Sequence, residues 1–263
     1  MPDPTEHSAD IKVFEEPQWA TPYTQASLIQ TPQVAPNQPP HQRRIRSFVV
    51  RTGRMTLGQQ RGLQVYWPTH GLELAAGPLQ LETCFAKAQP CIVEIGFGMG
   101  QSLLEQAQKM PETNFIGIEV HAPGVGKLLA QAGDLGLENL KVYQADAIEV
   151  LEQAIPEASL AGVQVFFPDP WPKKKHHKRR IIQPPFVDLV RSRLQVGGRL
   201  HLATDWQPYA EHMLEVLQAT PGWRNCSATG DYIERPLTRP LTKFEHRGHK
   251  LGHGVWDLLF ERQ

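Results

Sequence analysis

Residues 91–100 read CIVEIGFGMG, a short apolar run that ends in a glycine-rich turn. The run at 91–95 predicts a buried strand. Glycines at 96, 98 and 100 allow the backbone after this strand to approach a ligand closely, because they have no side chain and accept a positive φ. Such a turn between a strand and a helix predicts a ligand site at the carboxyl edge of a parallel sheet.

The pattern around this stretch repeats from residue 90 onward, where short apolar runs alternate with helical periodicity. The predicted strands are 91–95, 114–119, 140–143, 162–167 and 198–203. The predicted helices are 101–109, 122–135, 147–154, 185–194 and 207–217. This alternation predicts an α/β fold with a doubly wound, mostly parallel sheet. Two further strand-like runs after residue 223, the clearer at 254–260, predict a C-terminal antiparallel hairpin.

Composition divides the chain of 263 residues into three parts. Residues 1–42 are rich in Pro, Gln, Thr and Ala without apolar periodicity, which predicts a disordered tail. Residues 43–89 are expected to form a basic N-terminal arm, and residues 90–263 the main domain. The arginines of the arm are Arg43, Arg44, Arg46, Arg51, Arg54 and Arg61. They suit either contact with a phosphate backbone or a solvated approach to the domain.

The formal net charge is zero, but the bases are unevenly distributed. Residues 1–42 hold five acids and one base, which leaves 26 bases against 22 acids in the rest of the chain. The sequence has no run of 18 apolar residues, so no membrane helix is predicted. The N-terminus MPDPTEHSAD lacks the pattern of a secretory signal. Cys84, Cys91 and Cys226 form no CxxC pair and no metal-binding spacing, so a reducing cytoplasm is expected.

Acidic residues stand at three predicted strand ends. Glu94 precedes the glycine turn, Glu119 ends the second strand and Asp146 follows the third. A dinucleotide-binding turn would need glycine at position 101, which is Gln101, whereas E-x-G-x-G-x-G resembles motif I of class I S-adenosylmethionine methyltransferases. An acid there suits a cationic sulfonium, and Glu119 is placed to accept ribose hydroxyls. Alternatively, Glu119 is a solvated strand end and Asp146 a helix N-cap.

The fourth predicted strand runs into FFPDPWPKKKHHKRR at residues 166–180. Flanking prolines stiffen the turn, so Asp169 and Trp171 are expected to form a stiff acidic and aromatic lip that can bind a nucleobase. Residues 173–180 then hold six Lys or Arg and two His. Such a run is either a solvated face or a phosphate-binding surface, and its place beside the cleft favours phosphate. A nuclear-localisation signal would explain neither Asp169 nor the glycine turn.

Four motifs resemble the bacterial tRNA (guanine-N7-)-methyltransferase family, the TrmB family. They are FPDPW at 167–171 with RRI at 179–181, TDW at 204–206, TKFEHRG at 242–248 and RRIRSFVVRTGRMTLGQQ at 43–60. The resemblance covers residues 43–263 and leaves the tail outside. Pro172 stands where relatives often have histidine, which affects none of the expected roles.

The resemblance implies methyl transfer from S-adenosylmethionine to N7 of a tRNA guanine, the variable-loop guanine at position 46. It implies cofactor contacts from Glu94, Gly96, Gly98, Glu119, Asp146 and Asp169, with Asp169 also the catalytic residue. The implied substrate contacts are Lys173, Asp205, Thr242, Lys243, Phe244 and Glu245. The implied RNA contacts are Lys175, His176, His177, Lys178, Arg179 and Arg180.

Other functions fit the residues less well. A small-molecule methyltransferase would have no need of the basic run, and a non-catalytic RNA-binding protein could dispense with the four acids. Glu245, His246, His249 and His253 match no standard zinc spacing, so no metal is expected. No exposed apolar stripe is evident, so a monomer is expected.

Overall fold

The computed structural model describes residues 45–49, 54–241, 245 and 254–263. Its strands are β1 Gly71–Leu72, β2 Cys91–Ile95, β3 Asn114–Ile118, β4 Leu140–Tyr143, β5 Leu160–Phe166, β6 Leu194–Thr204, β7 Trp223–Asn225 and β8 Trp256–Arg262. Its α-helices are α1 Leu57–His70, α2 Leu81–Cys84, α3 Gln101–Lys109, α4 Ala122–Asp134, α5 Ala147–Gln153, α6 Pro184–Arg193 and α7 Gln207–Ala219. Short 3₁₀ helices cover Leu74–Ala76 and Lys174–Arg179.

The eight described strands form one sheet in the order β1-β4-β3-β2-β5-β6-β8-β7. Strands β1 to β6 pair in parallel, whereas β8 runs antiparallel between β6 and β7. The predicted fold class is confirmed, and so is the antiparallel pairing of the last strands. From β2 the chain first adds strands on one side, β3 and β4, and then on the other, β5 and β6. The carboxyl ends of β2 and β5 therefore lie at the switch point where an open α/β sheet binds its ligand.

Helices cover both faces of the sheet, which explains why its central strands are almost wholly apolar. All five residues of β3 are buried. One face packs against α1, α3 and α4 through residues such as Leu63, Leu103 and Leu128. The other packs against α5, α6 and α7 through Val150, Val187 and Tyr209, among others. No helix in the described part of the chain is long and apolar enough to cross a membrane.

The segment before residue 90 contributes to the sheet and to one of its helical layers. Thr56 begins α1 with a capping box that it forms with Gln59, and β1 pairs with β4 at the sheet edge. Arg61, which the sequence placed in the basic arm, forms an ion pair with Asp134 of α4, with a shortest N–O distance of 2.6 Å. Helix α1 is therefore packed onto the domain, and Arg61 is engaged within the protein.

Two glycines bring α1 and α4 into close contact. A Cβ atom at Gly62 would collide with the backbone carbonyl oxygen of Gly126, and a Cβ at Gly126 would collide with that of Gln59. Backbone cannot move aside as a flexible side chain can, so this contact requires glycine on both helices.

We expect Gly62→Ala to lower the free energy of unfolding by about 1–3 kcal/mol, as overpacking of a tight contact does. The matched control is Gly58→Ala in the same helix, where a Cβ would meet no atom within 4 Å. Because alanine favours a helix over glycine, the control should stabilise by roughly 0.5–1 kcal/mol. Thermal unfolding of both variants tests the contact, and equal melting temperatures would contradict it.

Candidate active site

A cleft of about 660 Å³ opens at the carboxyl ends of β2, β3, β4 and β5. Four of the residues predicted to hold a cofactor line it, namely Gly96, Glu119, Asp146 and Asp169. They come from four different strand ends, which the parallel sheet brings to one edge. The volume lies within the range of about 300–1,000 Å³ that is usual for a small-molecule site.

The glycine turn borders the cleft at Gly96, whereas Gly98 is not among the lining residues. Gly96 and Gly98 have φ angles of 73° and 58°, in the left-handed region that favours glycine. A Cβ at either position would meet no protein atom within 4 Å. The positive φ therefore explains the glycines, and the open space beside them leaves room for a ligand to approach the backbone.

Glu119 ties this turn to the end of β3. Its Oε2 accepts a hydrogen bond from the Gly98 N–H at 2.9 Å, and its Oε1 accepts from Val120 N–H at 2.7 Å and His121 N–H at 3.0 Å. A carboxylate has about four lone-pair sites, so acceptor capacity remains on Oε2. Glu119 is thus not a solvated strand end but a fixed carboxylate that lines the cleft.

Asp146 is both a helix N-cap and a residue of the cleft, the two positions between which the sequence does not decide. It is the N-cap of α5, where its Oδ1 accepts from the Ile148 N–H at 2.9 Å. It also lines the cleft while 8% exposed. The helix cap therefore holds the carboxylate at the edge of the site.

Glu94 lies behind the glycine turn and is not among the residues that line the cleft. It is 3% exposed, and its Oε2 accepts a hydrogen bond from Gln106 Nε2 at 3.3 Å. Gln106 in turn accepts from Gln164 Nε2 at 3.0 Å, so a buried polar chain crosses from α3 to β5. Burial raises the pKa of Glu94 to about 8, because desolvation disfavours the charged carboxylate.

This raised pKa makes the stability of the protein depend on pH. The unfolded carboxyl titrates near 4.5 and the folded one near 8, so its contribution to stability is present below pH 4.5 and is lost as the pH rises toward 8. We expect Glu94→Gln, which cannot ionise, to gain stability relative to the wild type across this window, by at most about 1.4 kcal/mol per pH unit. Melting temperatures of both proteins from pH 4.5 to pH 9 test this, and a constant difference would contradict it.

The loop after β5 holds Asp169 between two residues with left-handed backbone conformations. Phe167 and Trp171 have φ angles of 52° and 45°, which are rare for aromatic residues. Such conformations persist only where surrounding contacts hold them. The Phe167 N–H donates to the Ala203 carbonyl of β6 at 2.8 Å. Asp169 lies exposed at the tip of this constrained loop and lines the cleft.

A segment of the N-terminal arm lies across the mouth of the cleft, where Ser47, Phe48 and Val49 contribute to its lining. Trp171 Nε1 donates to the Ser47 carbonyl at 3.1 Å. The Arg179 guanidinium stacks 4.2 Å from the centroid of the Trp171 ring, and its Nε donates to the Arg46 carbonyl at 3.3 Å. The sequence predicted a basic arm but not this contact, because no local pattern reports a pairing between residues more than a hundred positions apart.

The basic run does not present all of its side chains to solvent. Lys173, Lys175 and Lys178 are exposed, whereas His176 and His177 are half-buried. Desolvation and the neighbouring cations Lys175 and Arg179 lower the pKa of His176, which favours its neutral form. Arg180 is only 4% exposed and donates from Nε to the Pro170 carbonyl at 2.9 Å. This position does not suit the predicted contact of Arg180 with RNA phosphate.

The predicted substrate residues separate in the structure. Asp205 is exposed just beyond β6, on the carboxyl edge, although neither it nor Lys173 lines the cleft itself. Glu245 is buried, and both of its carboxylate oxygens accept from Arg239 at 2.7 Å. Its carboxylate therefore lies in an internal ion pair and not in the cleft, because Arg239 and Asp257 form a buried network with it. Thr242, Lys243 and Phe244 lie outside the described residues.

The part of the chain that the structure describes contains no cluster of side chains that could bind a metal ion. No three His, Cys, Asp or Glu side chains lie close enough there to hold an ion. His246, His249 and His253, which the sequence analysis considered for this role, fall outside it.

The sheet, the glycine turn and the carboxylates at the strand ends define the methyltransferase class, and comparison with known proteins agrees. A family model described as "Putative methyltransferase" matches residues 88–258. A tRNA (guanine-N(7)-)-methyltransferase of Chromohalobacter salexigens is 61% identical over 230 residues, which cover 87% of this chain and 93% of the relative. A relative of the same name from Yersinia pestis is 61% identical over 221 residues, which cover 84% of this chain and 92% of the relative. The 16S rRNA methyltransferase KamB aligns with a TM-score of 0.48 at 17% identity, covering 66% of this chain and 89% of that chain.

The chain therefore belongs to the tRNA (guanine-N(7)-)-methyltransferase family, which the sequence motifs predicted.

Proposed function

We propose that this protein transfers the methyl group of S-adenosylmethionine to N7 of a guanine in tRNA. The observation that carries the proposal is the position of Asp169, on a constrained loop that faces the cleft also lined by Gly96, Glu119 and Asp146. The names of the relatives that are about 60% identical support the same reaction.

The cleft suits S-adenosylmethionine. The open glycine turn can receive the amino acid part of the cofactor, and Glu119 retains acceptor capacity for ribose hydroxyls. Asp146, which also lines the cleft, is proposed to lie beside the adenine. Glu94 is proposed to act from behind the turn, where it supports Gln106 beneath the site. When bound, the cofactor supplies a methyl group activated by a positive sulfonium.

Guanine N7 carries a free lone pair at neutral pH, so no proton has to leave before methyl transfer. The protein then needs to place N7 in line with the methyl group, which is a matter of proximity and orientation. Asp169 is proposed to orient the guanine and to stabilise the positive charge that develops on the base. A carboxylate held on a stiff loop is suited to this, because it requires little reorganisation during the reaction.

Binding of the tRNA backbone is assigned to the exposed lysines beside the loop, Lys173, Lys175 and Lys178. Asp205 on the same edge of the sheet is proposed to accept hydrogen bonds from the guanine. Contacts from residues 242–244 follow from the family resemblance alone. The acceptor is proposed to be the variable-loop guanine at position 46.

We propose that the protein acts as a monomer, as the sequence predicts. The three cysteines are free, which fits the expected cytoplasmic location, as does a tRNA substrate.

The test is methyl transfer from labelled S-adenosylmethionine to unmodified tRNA transcripts. One transcript carries guanosine throughout, and a matched one carries 7-deazaguanosine at position 46 of the tRNA only. We expect label on the first and none on the second, because the C–H that replaces N7 offers no lone pair. Label that persists on the 7-deaza transcript would move the target to another atom or nucleotide. No label on either transcript would reject tRNA as the acceptor.

A further inference from the structure

Arg180 differs from the other bases of its run in being turned into the protein. The chain places six Lys or Arg within residues 173–180, and Lys173, Lys175 and Lys178 point outward as a phosphate-binding surface requires. Arg180 is 4% exposed and directly follows the 3₁₀ helix Lys174–Arg179. Burying a guanidinium is costly unless its bonds are satisfied, so its contacts indicate what it does.

Those contacts lead toward the active-site loop. Arg180 Nε donates to the carbonyl oxygen of Pro170 at 2.9 Å, a charge-assisted hydrogen bond to the residue immediately after Asp169. Its guanidinium lies 4.8 Å from the centroid of the Tyr209 ring. Tyr209 is itself fully buried on α7, and its hydroxyl accepts from the Ile182 N–H at 3.3 Å. A rigid helix is thus connected through Arg180 to the loop.

The loop has particular need of such a contact. Pro168, Pro170 and Pro172 have no N–H, so three of the six residues at 167–172 cannot donate a backbone hydrogen bond. Fewer backbone N–H groups are therefore available to hold this part of the chain, and a bond to the carbonyl oxygen of Pro170 adds to those made by the Phe167 N–H and the Trp171 side chain. Phe167 and Trp171 also have left-handed conformations that need external support.

We propose that Arg180 is a positioning residue, which holds Asp169 in place through the carbonyl of Pro170 and does not bind RNA phosphate. The proposal rests on the proposed function insofar as Asp169 acts on the guanine. It divides the basic run into outward lysines that bind the tRNA backbone and an inward arginine that sets the geometry of the site. The two roles affect different measurable quantities.

The experiment compares Arg180→Gln and Arg180→Lys with Lys178→Gln in the full-length protein. For each, the single-turnover methylation rate at saturating tRNA and the salt dependence of tRNA affinity are measured. We expect Arg180→Gln to lower the rate by about tenfold to a hundredfold, as a displaced catalytic group does, with the salt slope unchanged. Arg180→Lys should recover part of the rate, because lysine can still donate to Pro170. Lys178→Gln should reduce the slope of log tRNA affinity against log salt concentration by about one, which corresponds to the loss of one phosphate contact.

A purely structural role is distinguished by Val190→Ala, which opens a cavity at a fully buried side chain of α6 and removes no described hydrogen bond to the loop. Compared at a temperature where both variants are folded, Val190→Ala should keep the wild-type rate and Arg180→Gln should not. If Arg180→Gln instead reduced the salt slope and kept its rate, Arg180 would be a phosphate ligand and the proposal would be overturned.

Hydrogen exchange gives a readout that does not depend on methyl transfer. The backbone N–H groups of Phe167, Asp169, Trp171 and Lys173 should exchange several-fold faster in Arg180→Gln than in Lys178→Gln, with Arg180→Lys between them. This result would support the positioning role even if tRNA proved not to be the acceptor. Equal exchange in all three variants would overturn it, while methylation of tRNA by the wild type would leave the proposed function intact.

Discussion

The carboxylate of Glu119 is the contact on which the geometry of the site depends. It accepts hydrogen bonds from three backbone N–H groups, one in the glycine turn after β2 and two in the chain that leaves β3. The turn and the neighbouring strand end are therefore held in one arrangement before any ligand binds. Because a parallel sheet places its carboxyl ends at a single edge, this contact also sets the turn relative to Asp146 and Asp169. A preorganised site of this kind loses little entropy when a ligand enters.

The loop that bears Asp169 is made stiff by a different principle. Prolines restrict its φ angles, and the left-handed Phe167 and Trp171 bend the chain sharply on both sides of the acid. Arginines then hold it from outside, with Arg180 on the Pro170 carbonyl and Arg179 over the Trp171 ring. The basic run next to the loop thus turns Arg179 and Arg180 toward the protein and leaves lysines such as Lys175 and Lys178 exposed to solvent.

Much of the fold could be predicted because it depends on local patterns. The apolar runs at 91–95 and 140–143 and the helix at 101–109 have the predicted bounds. Strand β1 has only two residues, too few for a periodicity, and it forms because β4 offers an unpaired edge. Strand β6 begins at Leu194, directly after α6, because Leu194 pairs with Leu160 and Arg199 with Gly162 across a register shift that no sequence pattern reports. The sequence singles out Glu94, Arg180 and Glu245 as site residues, but where their side chains point depends on the partners Gln106, Pro170 and Arg239, which only tertiary packing brings near.

The central claim is that Asp169 acts on the guanine during methyl transfer, and it is tested most directly by the single-turnover rate of Asp169→Ala at saturating cofactor and tRNA. Its tRNA affinity is measured alongside. The account predicts a rate lower by about a hundredfold or more, as for the loss of one group that stabilises developing charge, with tRNA affinity close to that of the wild type. A variant that kept the wild-type rate while losing affinity for tRNA would contradict the account and make Asp169 a binding residue alone.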